Sequence, residues 1–288
     1  MENTQLNILV PTDFSEPANA ALEYASKLAS DSGGCITIFH GISIHVANST
    51  EEAEFITTSE LERIENEQLV QLRHQISKRY PKVQYDIVSK MGFPVELISD
   101  IVKERKTDLI VMGTRGASGM KEILVGSNTA SLIHQTECPV LAVPEQTTFS
   151  GIKKIVFATN MQQDDINCLI KLIQLFGHKE DTSITLLHIE DGHARDPEAA
   201  LQSWFHEAVL PKITYKNIKA ESISETEIVK TLHEYLSINK IDLLVTATRK
   251  RNFIERIFDR SITKRLIFHT HIPLLAFHSH GSKGEIVL

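Results

Sequence analysis

The sequence predicts a tandem α/β fold, two doubly wound, mainly parallel five-stranded sheets in one chain. Three observations carry that expectation. Short, almost uninterrupted apolar runs recur, helical-length amphipathic stretches separate them, and the whole order appears twice. Strands that are apolar throughout, rather than alternating, fit a parallel sheet covered on both faces.

In the first half the strand-like runs are LNILV (6–10), CITIF (35–39), VQYDIV (83–88), DLIVM (108–112) and PVLAV (139–143). Between the first two, Ala21, Leu22, Ala25 and Leu28 repeat at helical spacing. The polar stretch 42–60 reads as an irregular excursion or a cover over a ligand, and a helix is expected over about 58 to 79. The second half repeats the order with KIVFA (154–158), SITLLHI (183–189), NIKAES (217–222), DLLVT (242–246) and PLLAF (273–277).

The later parts of the halves align without gaps. DLIVMGTRG lies over DLLVTATRK, and SLIHQTECPVLAV over RLIFHTHIPLLAF. Identities include Asp108 with Asp242, Thr114 with Thr248, Ser127 with Ser261 and Thr129 with Thr263. The expected domains are 1–147 and 148–288, joined through the polar EQTTFSGIKK. Two similar halves suggest an intramolecular pseudo-dimer, with a homodimer or another protein partner left open.

Composition narrows the function. The chain has 288 residues, 42% hydrophobic and 23% charged, as a globular protein does. Thirty basic against thirty-seven acidic residues give a net charge of −7, which argues against general nucleic-acid binding. No apolar run reaches the ~18 residues of a membrane span, and MENTQLNILV lacks the features of a signal peptide. Cys35, Cys138 and Cys168 read as small buried hydrophobes, and a cytoplasmic location is expected.

The chemistry-bearing motif is VMGTRGASGMKEILVGSN (111–128), with Gly113-x2-Gly116-x9-Gly126 followed by Ser127 and Asn128. It begins at the carboxyl end of a parallel strand, where open α/β sheets bind ligands. Gly113 and Gly116 can adopt positive φ and bring backbone close to a ligand. Gly126 precedes a helix whose first amides, with the Ser127 hydroxyl, can receive phosphate oxygens. Arg115 either adds a positive charge or points to solvent. The motif differs from GxxxxGK[ST] and from GxGxxG. At the end of the first strand, ILVPTD sets Pro11, Thr12 and Asp13 at the same edge. Asp13 could accept hydrogen bonds from a base or ribose, or serve the helix start near Pro17, to which Ser15 and Glu16 are closer. The backbone near Gly41 and Met112 would wall an adenine site.

These residues resemble the universal stress protein family in its tandem form, over residues 4–278. The family pattern G-x2-G-x9-G-[S/T] matches Gly113, Gly116, Gly126 and Ser127; its opening strand and aspartate match ILVPTD, and its GxP matches Gly92–Pro94. The resemblance implies a Rossmann-like, adenine nucleotide alpha hydrolase-like fold. It also implies a stress-response protein that binds ATP or a related adenine nucleotide, with Mg²⁺ as an option. In that reading Asp13 serves the adenosine, Met112 and Gly113 line its pocket, and Arg115 through Asn128 form the phosphate loop. A slow ATP hydrolase and a nucleotide-independent partner scaffold are the alternatives; no general base can be assigned.

The second half departs from the pattern. Ala247, Lys250 and Arg260 stand against the three glycines, and Asn160 stands against Asp13. No nucleotide is expected there. Its loop is basic, with Arg249, Lys250, Arg251, Arg256, Arg260, Lys264 and Arg265, and reads first as a solvated or interdomain face. His269, His271, His278 and His280 lack the spacing of a zinc site.

Overall fold

The structure, a computed structural model, describes residues 5–42, 58–114, 127–177, 181–190, 196–249 and 272–279. The strands of the first half are β1 (Asn7–Pro11), β2 (Cys35–Ile42), β3 (Gln84–Met91), β4 (Leu109–Gly113) and β5 (Val140–Val143). Those of the second are β6 (Lys154–Ala158), β7 (Ser183–Glu190), β8 (Ile218–Ser224), β9 (Leu243–Arg249) and β10 (Leu274–Ser279). Each overlaps a strand-like segment read from the sequence, and β3 and β8, at the two ends of the sheet, are the most polar.

The helices are α1 (Glu16–Ser32), α2 (Thr58–Arg79), α3 (Pro94–Glu104), α4 (Ser127–Gln135), α5 (Gln163–Phe176), α6 (Pro197–Trp204) and α7 (Ile228–Ile238). Their ends follow local chemistry. Ser15 caps α1 by accepting from the Ala18 N–H, Pro17 occupies the first turn, and Gly33 closes the helix at φ 72°. Pro94 opens α3, and Asp196 caps α6. A π turn (Phe205–Val209) and a 3₁₀ turn (Leu210–Lys212) continue from α6.

Within each half all strand pairs are parallel, in the orders β3-β2-β1-β4-β5 and β8-β7-β6-β9-β10. The halves differ from two separate five-stranded sheets in one respect. β5 and β10 pair antiparallel, Leu274 opposite Ala142 and Ala276 opposite Val140, and make a single ten-stranded sheet. On one face a continuous apolar core runs across both halves, from Leu22 and Leu28 through Val143, Ile155 and Phe157 to Leu172. On the other face the core is split. Ala276 of β10 joins Leu132 and Ile133 of α4, while Ala142 of β5 joins Leu236 and Leu244. Each seam strand therefore lends a residue to the opposite half's core.

The segment between β5 and β6 is anchored. Phe149 meets Tyr24 edge-on at 5.0 Å, Ile152 is buried, and its carbonyl accepts from the Thr182 hydroxyl at 3.1 Å. No described helix is long and apolar enough to cross a membrane.

Candidate functional site

In the order β3-β2-β1-β4-β5 the direction of winding reverses between β1 and β4, so a crevice opens at their carboxyl ends. Pro11 closes β1, and Met112 and Gly113 close β4. Register fixes their proximity, because Ile8 pairs with Leu109 and Leu9 with Ile110. Gly41 lies near the end of β2, and Asp13 is exposed just beyond β1. A Cβ at Gly41 would sit 3.4 Å from Phe39 Cζ and 3.5 Å from Pro94 Cγ, a close but ordinary contact.

Ser127 and Asn128 begin α4, and the next residue ties that helix to the crevice. The buried Thr129 hydroxyl donates to the Gly113 carbonyl at 3.1 Å. The first turn of α4 thereby stands at the end of β4, its amides without helical acceptors at the crevice edge. Arg115, Gly116 and Gly126 fall outside the described residues, as does the 43–57 part of the polar excursion.

The structure gives Gly113 a different reason from the sequence reading. It is absent from the positive-φ positions, and its missing side chain is required by protein packing. A Cβ there would lie 2.7 Å from the Pro17 carbonyl oxygen and 2.8 Å from its carbon. The start of α1 thus rests directly on the end of β4.

Asp13 has a local role as well. Its Oδ1 accepts from the Ser15 amide at 3.1 Å and from the Ser15 hydroxyl at 2.5 Å, which holds the α1 cap in place. The turn is reinforced by the buried Thr12, whose hydroxyl oxygen accepts from the Phe14 amide at 3.0 Å, while Phe14 sits at φ 62°. His40 completes the surroundings, with Nδ1 2.8 Å from the Thr12 carbonyl and Nε2 3.1 Å from Glu65 on α2. Sequence reading missed His40, Glu65 and Thr129. The signal for His40 was present, since IFHG and LLHI each place a histidine near the end of the second strand of a half.

The second half rebuilds this turn with another carboxylate. Thr159 accepts from the Met161 amide at 2.9 Å, Met161 has φ 59°, and His188 Nδ1 lies 2.9 Å from the Thr159 carbonyl. Asn160 takes the place of Asp13. The carboxylate comes instead from Asp165 of α5, only 3% exposed, which accepts from the Thr159 hydroxyl and the Asn160 and Gln162 amides at 2.8, 3.1 and 3.1 Å. That carboxylate faces inward, into its own turn.

The cysteines sit away from this chemistry. Burial, assisted by the Asp108 carboxylate, pushes the Cys138 thiol up to about 12 and raises that of Cys35. Among the described residues no His, Cys, Asp and Glu cluster could hold a metal ion.

Comparison with known proteins identifies the family. The model of the universal stress protein family matches residues 6–144. Universal stress protein Sll1388 of Synechocystis is 32% identical over 47% of this chain and 96% of its own length. The chain belongs to the universal stress protein family. Universal stress protein Slr1230 of the same organism matches both halves, at 27% identity over 94% of this chain and 99% of its own. A universal stress protein structure from Archaeoglobus fulgidus shares the fold, with a TM-score of 0.70 at 17% identity across 96% of this chain and 97% of that one. The family's α/β, Rossmann-like architecture is thus present in two tandem copies.

Proposed function

We propose that this universal stress protein binds an adenine nucleotide, ATP or a close relative, in its first half and acts as a regulatory protein. The observation that carries the reading is the Thr129–Gly113 hydrogen bond. It supports the reading because the first-turn amides of α4, which have no acceptor within the helix and suit phosphate oxygens, then lie at the edge of the crevice where Asp13 is exposed. The proposed site comprises Pro11, Thr12, Asp13, Gly41, Met112, Gly113, Arg115, Gly116, Gly126, Ser127 and Asn128. Asp13 would accept from the base or ribose, and the α4 amides with the Ser127 hydroxyl would receive phosphate. Gly113 acts indirectly, by letting α1 close onto β4.

The proposal assigns residues 1–147 to the nucleotide domain and 148–288 to a domain that no longer binds nucleotide. The inward-facing Asp165 supports that division, since its carboxylate is taken up by three donors of its own chain, and Asn160, at the place of Asp13, offers no carboxylate to a base or ribose. A cytoplasmic location goes with the reading.

Extraction of the purified full chain, followed by mass spectrometry of the released small molecules, tests the function. An adenine nucleotide in a near-equimolar amount is expected. An extract free of nucleotide, with no binding of added ATP, would leave a nucleotide-independent scaffold.

A further inference from the structure

The turn Gly92-Phe93-Pro94 follows β3 at its carboxyl end and opens α3. Its backbone is fixed on both sides. The Gly92 amide donates to the Ile42 carbonyl at 3.2 Å, the Phe93 carbonyl accepts from the Leu97 amide at 3.1 Å, and Pro94 occupies the first turn of the helix. The Phe93 side chain takes no part in this. It stands at the N-cap, where a serine or aspartate would accept from a free amide, and supplies no such bond. It is 75% exposed, whereas every other phenylalanine among the described residues is buried or half-buried. Neither the helix nor the core accounts for an aromatic ring here.

The turn borders the crevice. Leu9, Phe39 and Met112 share an apolar core with Ile98 of α3 and Leu132 of α4. Side chains alternate along a strand, so Pro11 and Gly41, two places beyond Leu9 and Phe39, belong to that same face. Pro11, Gly41 and Met112 therefore form one wall at the carboxyl ends of β1, β2 and β4. Gly41 leaves the wall open, and the position its Cβ would take is 3.5 Å from Pro94 Cγ. Phe93, joined to Pro94, is carried at the rim of that opening.

The second half serves as an internal control. His40 pairs with Ser89 and His188 with Ser222, so Gly41 corresponds to Ile189 and Gly92–Pro94 to Glu225–Glu227. The backbone is kept, since the Glu225 amide donates to the Glu190 carbonyl at 2.9 Å as Gly92 does to Ile42. The side chains are not. Ile189 packs on the core beneath α7 and fills the place that Gly41 leaves open, and exposed Glu225, Thr226 and Glu227 replace the apolar rim. The opening and the ring occur together in the half with the phosphate motif, and both are missing from the other.

We propose that Phe93 covers the face of the nucleotide's base, over the place that Gly41 leaves open beside Pro11 and Met112. The proposal rests on the nucleotide reading above. A base presents a flat π-face whatever phosphates follow it, and an exposed aromatic ring is the side chain that such a face stacks on.

Calorimetric titration of the full chain, Phe93→Ala and Phe93→Tyr with ATP and with AMP tests it. Phe93→Ala should weaken both ligands by the same factor, at least about fivefold, because the lost contact is to the base. Phe93→Tyr, which keeps the ring, should restore most of the affinity. Without ligand, Phe93→Ala should melt with the parent, as substitutions of exposed residues do, so the loss is not one of folding. Phe93→Trp adds a spectroscopic signature. ATP should quench the emission of that variant and leave the parent, whose one tryptophan is Trp204 in the second half, unchanged. If Phe93→Ala binds both ligands as tightly as the parent, or loses affinity for ATP alone, the base contact is wrong while the nucleotide site stands. If the parent binds neither ligand, the nucleotide reading falls and the role of Phe93 falls with it.

Discussion

The turns Thr12–Ser15 and Thr159–Gln162 share a backbone and differ in where they keep a carboxylate. In each, a threonine accepts from the amide two residues on, a non-glycine residue takes positive φ, and a histidine ring nitrogen meets the threonine carbonyl. In the first turn the carboxylate is Asp13, exposed at the sheet edge. In the second it is Asp165, buried and consumed by three donors of its own chain. The comparison teaches that one turn geometry can be kept with a carboxylate that faces outward or with one buried as part of the support.

Removing each carboxylate should give the largest contrast. Asp165→Ala strands the buried Thr159 hydroxyl and takes the acceptor from two part-buried amides, at a cost of about 3 kcal/mol. Asp13→Ala should cost about 1 kcal/mol, since its carboxylate is exposed and supports only the Ser15 cap. Urea unfolding of both variants measures the difference. Equal losses would mean that the two turns are supported alike and that the contrast is empty.

A second pair sharpens the comparison between β4 and β9. Gly113→Ala drives a methyl against the Pro17 carbonyl and should destabilise by about 2 kcal/mol. At the corresponding place Ala247 is a buried strand residue, and Ala247→Gly should cost about 1 kcal/mol through lost packing and added chain entropy. Denaturation curves that rank these the other way would remove packing against α1 as the reason for the glycine.

Much of the fold was legible because both faces of the sheet are covered. Runs such as LIVM and VLAV are buried throughout, so the sequence pattern and the strand coincide. The seam was less legible. Ala142 and Ala276 read as ordinary core residues, and only the antiparallel register reveals that each serves the other half. At the site, Asp13 and the α4 start could be read from spacing, whereas Pro17 against Gly113 and Glu65 against His40 are contacts between residues far apart in the chain. Asp165 was hidden for a different reason: a polar residue in the first turn of a helix reads as a surface cap until its burial is known.

The central claim is one adenine nucleotide per chain, held by the first half through the start of α4. Calorimetric titration of the folded full chain with ATP, beside Gly126→Arg checked for folding by thermal unfolding, tests it most directly. Arginine at 126 copies Arg260 of the second half and sets a long side chain where the α4 amides would meet phosphate. The account predicts a stoichiometry of about one for the parent, and an affinity at least about tenfold weaker for the variant, a loss of roughly 1.4 kcal/mol. A stoichiometry near two, or a folded Gly126→Arg that binds ATP as tightly as the parent, would contradict it.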